Sequence, residues 1–181
     1  AFIKSLRASD PDAALYYLVR MLEAGEEPLF IARRLLIFAS EDVGNADPWA
    51  LSLALATHQA VERLGLPEGR IPLAQATTYL ASAIKSNAAY AALGRAEAAL
   101  KRGGSLPIPM HLRNAPTHLM KELGYGKGYV YPHDQPDHFS GERNLPPELG
   151  ETDFYQPDGR GAEAAILERL KHWNQERESK K

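Results

Sequence analysis

The sequence has no cysteine among its 181 residues. That removes disulfides, thiolate nucleophiles and thiolate metal sites together, and it suits a reducing compartment such as the cytoplasm. No apolar run approaches the ~20 residues needed to cross a bilayer, so no membrane partner is expected. The start, Ala1-Phe2-Ile3-Lys4, has neither an initiator Met nor the build of a signal peptide, and the chain reads as a piece of something longer. Charge of one sign is scarce as well: 21 Lys+Arg against 23 Asp+Glu leave a formal net charge of −2. Domains devoted to nucleic acid carry a clear basic excess, because phosphate neutralisation supplies most of their affinity. Only a local basic patch is compatible with this balance.

Catalytic signatures are missing too. There is no nucleophile elbow, no HExxH and no Cys/His pairing, so an enzyme would have to work through unrecognised carboxylates or histidines in a deep polar pocket. The Gly124-to-Gly128 run contains a Gly-Lys pair but fails as a phosphate loop. That loop needs a Gly five residues before the pair and a Ser or Thr after it, whereas here they are Lys121 and Gly128. His133-Asp134 and Asp137-His138 crowd four potential metal ligands into six residues, but no regular element fixes them. Pro132 and Pro136 suit turns, so this stretch reads as a polar surface loop. His111 and His118, flanking Arg113 and Asn114, read as structural. Ser40-Glu41-Asp42 and Asn45-Asp47 read as a helix exit followed by the cap of the next helix. No catalytic residue, cofactor site or metal site is assigned.

What is present is helix. Hydrophobic residues make up 44% of the chain, enough for a real core. Ser9-Asp10-Pro11-Asp12 is a cap, a proline tolerated in the first turn and an acid favourable to the helix dipole. The run that follows carries Ala14, Leu15, Leu18, Met21 and Leu22 at helical spacing and stops at Gly25. A second helix is expected from Pro28 with Ile31, Leu35 and Phe38 inside. A third follows Asp47-Pro48, with Leu51, Leu55 and Leu64 as its stripe and Gly65 closing it. A fourth follows Pro72 (Leu73, Ala76, Leu80, Ile84), and a fifth runs from about Ala88 to Arg102. The fifth is alanine-dense (Ala88, Ala89, Ala92, Ala96, Ala99), so its backbone can approach neighbours closely while burying little area. Self-association would compensate for that shortfall.

Residues 104–160 are rich in Pro, Gly and Tyr. A short helix is expected within Thr117–Leu123, and Gly124–Tyr131 suits a hairpin or an extended arm. Residues 132–160 read as a long loop, and loops of that length are usually functional or wrap a partner surface. A terminal helix begins near Ala162 with Ile166, Leu170 and Trp173, and the last five residues are expected to fray. The fold class is therefore all-α: a compact multi-helix bundle over 1–103, an extended arm and loops over 104–161 packed on it, and a C-terminal helix over 162–181, together one structural unit.

Arg113, Lys121 and Lys127 are interleaved with Tyr125, Tyr129 and Tyr131. Cations beside flat rings favour single-stranded nucleic acid, since phosphates meet charge while bases stack. Tyrosines packed on the bundle beside solvated cations would leave the same pattern. These six are the candidate DNA- or partner-contact residues.

Four strings carry a resemblance: AFIKSLRASDPDAALYYLVRMLEAGE (1–26), IFASEDVGNADP (37–48), GRIPLAQATTYLASAIKSNAAY (69–90) and HLRNAPTHLMKELGYGKGYVYPHD (111–134). They resemble the C-terminal half of the RarA/MgsA AAA+ ATPases, which include the Werner-helicase-interacting proteins. The likeness weakens after about residue 135 and departs at Ala8 and Ile84, where Gly and Pro are expected. It implies a domain like a clamp-loader collar that assembles into a homotetramer, with no ATPase activity of its own. ATP and Mg²⁺ would belong to an upstream module, and the full-length protein is expected to be a DNA-dependent ATPase. The resemblance also implies work at stalled or gapped replication forks, in the cytoplasm at the nucleoid, with DNA and single-strand-binding protein as partners.

Overall fold

The computed structural model describes residues 1–179, and all its regular structure is helical, with no strand among them. Eight α-helices follow in order: α1 (Phe2–Arg7), α2 (Pro11–Glu23), α3 (Pro28–Phe38), α4 (Trp49–Leu64), α5 (Arg70–Ser82), α6 (Ala88–Gly103), α7 (His118–Glu122) and α8 (Glu163–Ser179). No helix among the described residues is long and apolar enough to cross a membrane.

The caps explain where the helices begin. Asp10 accepts the Ala13 N–H at 2.9 Å ahead of Pro11. Glu27 accepts from Leu29 and Phe30 at 2.8 and 2.6 Å ahead of Pro28. The side chain of Asp47 accepts the Trp49 N–H at 3.1 Å. In each case a side-chain oxygen satisfies amides that the first turn leaves without a carbonyl. α5 starts two residues before Pro72, which its first turn tolerates. α1 was not legible in advance, because six residues are too few for a period to show.

The chain groups into two compact units, residues 1–92 with 155–167, and residues 93–154 with 168 onward. In the first unit α2 packs on α5, α3 on α4, α1 on α2 and α4 on α5. Leu6, Leu18, Ile31, Leu35, Phe38, Leu73 and Leu80 are buried at the centre. The α2 stripe is inward at Ala14, Leu18 and Leu22, and the α3 stripe at Ile31, Leu35 and Phe38. α3 runs into a π-turn, Ala39–Val43, in place of a simple exit. Arg7 clasps that turn, its Nε donating to Asp42 at 2.7 Å and its Nη2 to Glu41 at 3.0 Å.

Two expected stripes need correction. On α4 the buried face is Ala50, Ala54, Thr57 and Val61, while Leu51, Leu55 and Leu64 are exposed. Small side chains let α3 and α5 approach α4 closely, and the leucines lie on the other side. Ile84 lies past the end of α5 and is also exposed. On α6 the alanines at 88 and 99 are buried, and those at 89, 92 and 96 partly so.

In the second unit the expected hairpin or arm over Gly124–Tyr131 is a succession of turns. Gly124, Gly126 and Gly128 all have positive φ, which breaks the extended backbone that a strand needs. The long loop holds 3₁₀ turns at Pro132–Asp134 and Pro147–Leu149, and between them a tight turn at Pro136–His138 in which Asp137 leaves the helical region.

In the single, unassembled chain, truncating Leu73 to Ala should cost about 2–5 kcal/mol, whereas Leu51→Ala should cost under about 0.5 kcal/mol. Thr77 is fully buried and its hydroxyl has no hydrogen-bond partner among the described residues. Thr77→Val should therefore be neutral or stabilising by about 1 kcal/mol. Urea midpoints of the three variants check all of this.

Candidate contact site

Two parts of the chain offer surfaces for recognition. The first is the 108–131 segment of the second unit, which contains all six candidate contact residues. Thr117 caps α7 through the Met120 N–H at 3.3 Å, and the amide of Tyr125 closes the helix on the Met120 carbonyl at 3.0 Å. The Gly126 amide then donates to the Met110 carbonyl at 2.9 Å, folding the glycine run back on the 3₁₀ turn Met110–Leu112. Arg113 is spent on this fold. Its Nε donates to the Ile108 carbonyl at 2.7 Å, and its guanidinium lies 5.2 Å from the centre of the Tyr125 ring. Arg113 and Tyr125 are thus a structural pair, both half-buried. Lys121, Lys127, Tyr129 and Tyr131 are exposed, and Tyr131 has the His133 ring 5.2 Å away.

The second part is the outside of the helices in the first unit; α6, which runs on into the second unit, is taken by itself. α4 exposes Trp49, Leu51 and Leu55, and α2 exposes Tyr16 and Val19 three residues apart. Along α6, Tyr90, Leu93 and Leu100 are exposed at helical spacing, which places them on one face.

A latch in the first unit shapes this bundle, and nothing in the sequence announced it. Glu163, the first residue of α8, is completely buried. Ser86 donates to its Oε2 at 2.7 Å and Tyr155 to its Oε1 at 2.9 Å, while Asn45 donates to the Tyr155 hydroxyl at 3.1 Å. The Ala162 amide donates to the Ala46 carbonyl at 2.8 Å. Two glycines permit the approach: a Cβ at Gly44 would lie 2.8 Å from the Ser86 carbonyl oxygen, and one at Gly161 would collide with that of Ala46. Both have positive φ, the left-handed region that L side chains avoid. A carboxylate at a helix N-terminus also faces the positive end of the dipole. Burial raises the Tyr155 phenol above its usual range, Asn45 pulls it down, and the bond to Glu163 and the charges of Glu163 and Asp158 add to the rise.

The strings over 1–26, 37–48 and 69–90 build the core helices and this corner, and the fourth builds the Arg113 turn. A family model described as MgsA AAA+ ATPase C terminal matches residues 8–174. The chain belongs to this family. Replication-associated recombination protein A of Coxiella burnetii is 50% identical over 100% of the chain, which covers 41% of that protein. The protein of the same name from Haemophilus influenzae is 51% identical over 99% of the chain and 40% of its own length. ATPase WRNIP1 of Dictyostelium discoideum is 47% identical over 74% of the chain and 15% of its own length. The chain thus spans about two-fifths of the bacterial relatives, and the family description assigns it to their C-terminal part.

Gly161→Ala should destabilise the domain by about 2 kcal/mol or more, through strain and the lost approach to Ala46. Tyr155→Phe should cost about 1–2 kcal/mol at neutral pH. Because the folded state favours the neutral phenol, its contribution is intact below pH ~10 and is lost as pH rises through the raised value. Thermal melting from pH 8 upward should accordingly fall less steeply in Tyr155→Phe than in the parent.

Proposed function

We propose that this domain joins copies of a AAA+ ATPase into a homotetramer that maintains replication forks, and that it has no ATPase activity itself. The carrying observation is the reversed order of side chains on α4, with Ala50 and Ala54 inside and Trp49, Leu51 and Leu55 outside. A helix apolar on both faces suits a buried position, and a second copy would supply the missing cover. The names of the bacterial relatives support a place in replication-associated recombination, and a seat at the nucleoid in the cytoplasm is part of the proposal. ATP and Mg²⁺ would bind outside these residues in the whole protein, whose ATPase activity DNA would stimulate. Single-strand-binding protein would be a partner there.

Light scattering should report a mass near four times 19.9 kDa at tens of micromolar. Leu51→Glu with Leu55→Glu should lower it toward the monomer with helical circular dichroism unchanged. A parent chain that stays monomeric at that concentration defeats the reading.

A second reading, a DNA-contacting module, rests on the exposed Lys121, Lys127, Tyr129 and Tyr131. Single-stranded or fork DNA should then bind with a salt dependence that flattens by about one in log–log slope per phosphate-contacting lysine removed. Lys121→Ala with Lys127→Ala is the variant to titrate, and absence of binding by the parent chain at low salt removes this reading.

A further inference from the structure

The loop that crowds His133, Asp134, Asp137 and His138 lacks a regular element of its own, yet the fold provides one. Asp137 has come to lie beside the last turns of α8, where His172 and Glu176 sit one helical turn apart. Each of these three offers one ligand atom, and the three atoms lie within 4.8 Å of one another. His172 Nε2 and Glu176 Oε1 are 3.7 Å apart. Ligands on a tetrahedral divalent ion with bonds of 2.0–2.2 Å are separated by about 3.4 Å, so small side-chain rotations close the set.

The placement of Asp137 does not depend on an ion. Two residues on, Phe139 stacks on Trp173, with ring centres 5.6 Å apart and planes 13° from parallel, and Arg177 covers the Phe139 ring at 5.0 Å. The residue next to Asp137's neighbour is therefore clamped to the residue next to His172. Asp137 and His138 both adopt left-handed backbone, φ 53° and 54°, in the turn that carries the carboxylate toward the helix.

We propose that Asp137, His172 and Glu176 form a binding site for a divalent first-row transition metal of the zinc class, with water completing the coordination. Two carboxylates and a neutral imidazole carry the −2 charge that balances such an ion. The imidazole selects against Mg²⁺ and Ca²⁺, which take oxygen ligands. The ion would fasten the 132–139 turns to the end of α8. The site is independent of the assembly reading.

Zn²⁺ and Co²⁺ titrations of the chelator-treated, tag-free chain test it. Trp173 adjoins His172, so in a Trp49→Phe background Co²⁺ should quench the remaining tryptophan with a saturable one-to-one profile reversed by EDTA. Asp137→Ala, His172→Ala and Glu176→Gln should each weaken binding by at least about tenfold with unchanged circular dichroism. Mg²⁺ should not compete. The control is His118→Ala, since His118 and Glu122 pair at the same i,i+4 spacing, 3.4 Å apart, and form no three-ligand set among the described residues. That variant should bind as the parent does. The proposal falls if no saturation occurs below about 100 μM, a Kd worth about −5.5 kcal/mol. It falls equally if binding survives Asp137→Ala and Glu176→Gln, or is lost with His118→Ala.

Discussion

A carboxylate without solvent organises the first unit. Stripping Glu163 of water is unfavourable by several kcal/mol unless other donors replace the lost hydrogen bonds. Ser86 and Tyr155 supply them, Asn45 orients Tyr155, and the α8 N-terminus adds its dipole. Each donor comes from a different stretch of chain, so satisfying one side chain brings together the turn after α3, the gap between α5 and α6, and the strap before α8. The Ala162 amide on the Ala46 carbonyl closes the same corner through the backbone. Glycines at 44 and 161 are needed because two backbones approach there with no room for a Cβ.

The inversion of α4 bears on what this domain is for. An alanine face lets helices pack closely but gains little from burial, while leucines left in water forgo about 0.8 kcal/mol per buried CH₂. The assembly proposed above would bury those leucines. The outward stripes on α4 and α6 and the pair on α2 follow one pattern, which association would satisfy.

The candidate residues of the 108–131 segment divide according to what the local fold asks of them. In the sequence Arg113 and Tyr125 look like the other cations and rings, because spacing does not distinguish a ring that stacks on its own chain from one offered to a partner. In the fold Arg113 holds the Ile108 carbonyl and covers Tyr125, while Lys121, Lys127, Tyr129 and Tyr131 are exposed. The four ligand-type residues at 133–138 have no scaffold of their own in the sequence, and the α8 residues His172 and Glu176 lie more than thirty positions beyond Asp137.

Helix starts at Asp10-Pro11 and at Pro28, the inner stripe of α3, and the all-α class were legible in the residues, since caps, prolines and a 3.6-residue period act within a few positions. The outcome of the Gly124–Tyr131 stretch was not legible: alternating rings and small residues suggest a hairpin or an extended arm, but positive φ at Gly124, Gly126 and Gly128 makes it a succession of turns. Which face of α4 turned inward was not legible either, because Ala50-Leu51 and Ala54-Leu55 offer two faces of equal periodicity, and the choice depends on how closely α3 and α5 approach. The role of Glu163 was likewise beyond local reading, for its partner Ser86 lies 77 positions away. Short-range propensity determined the elements; the contacts among distant residues, which only close packing can select, decided which surfaces were left to act.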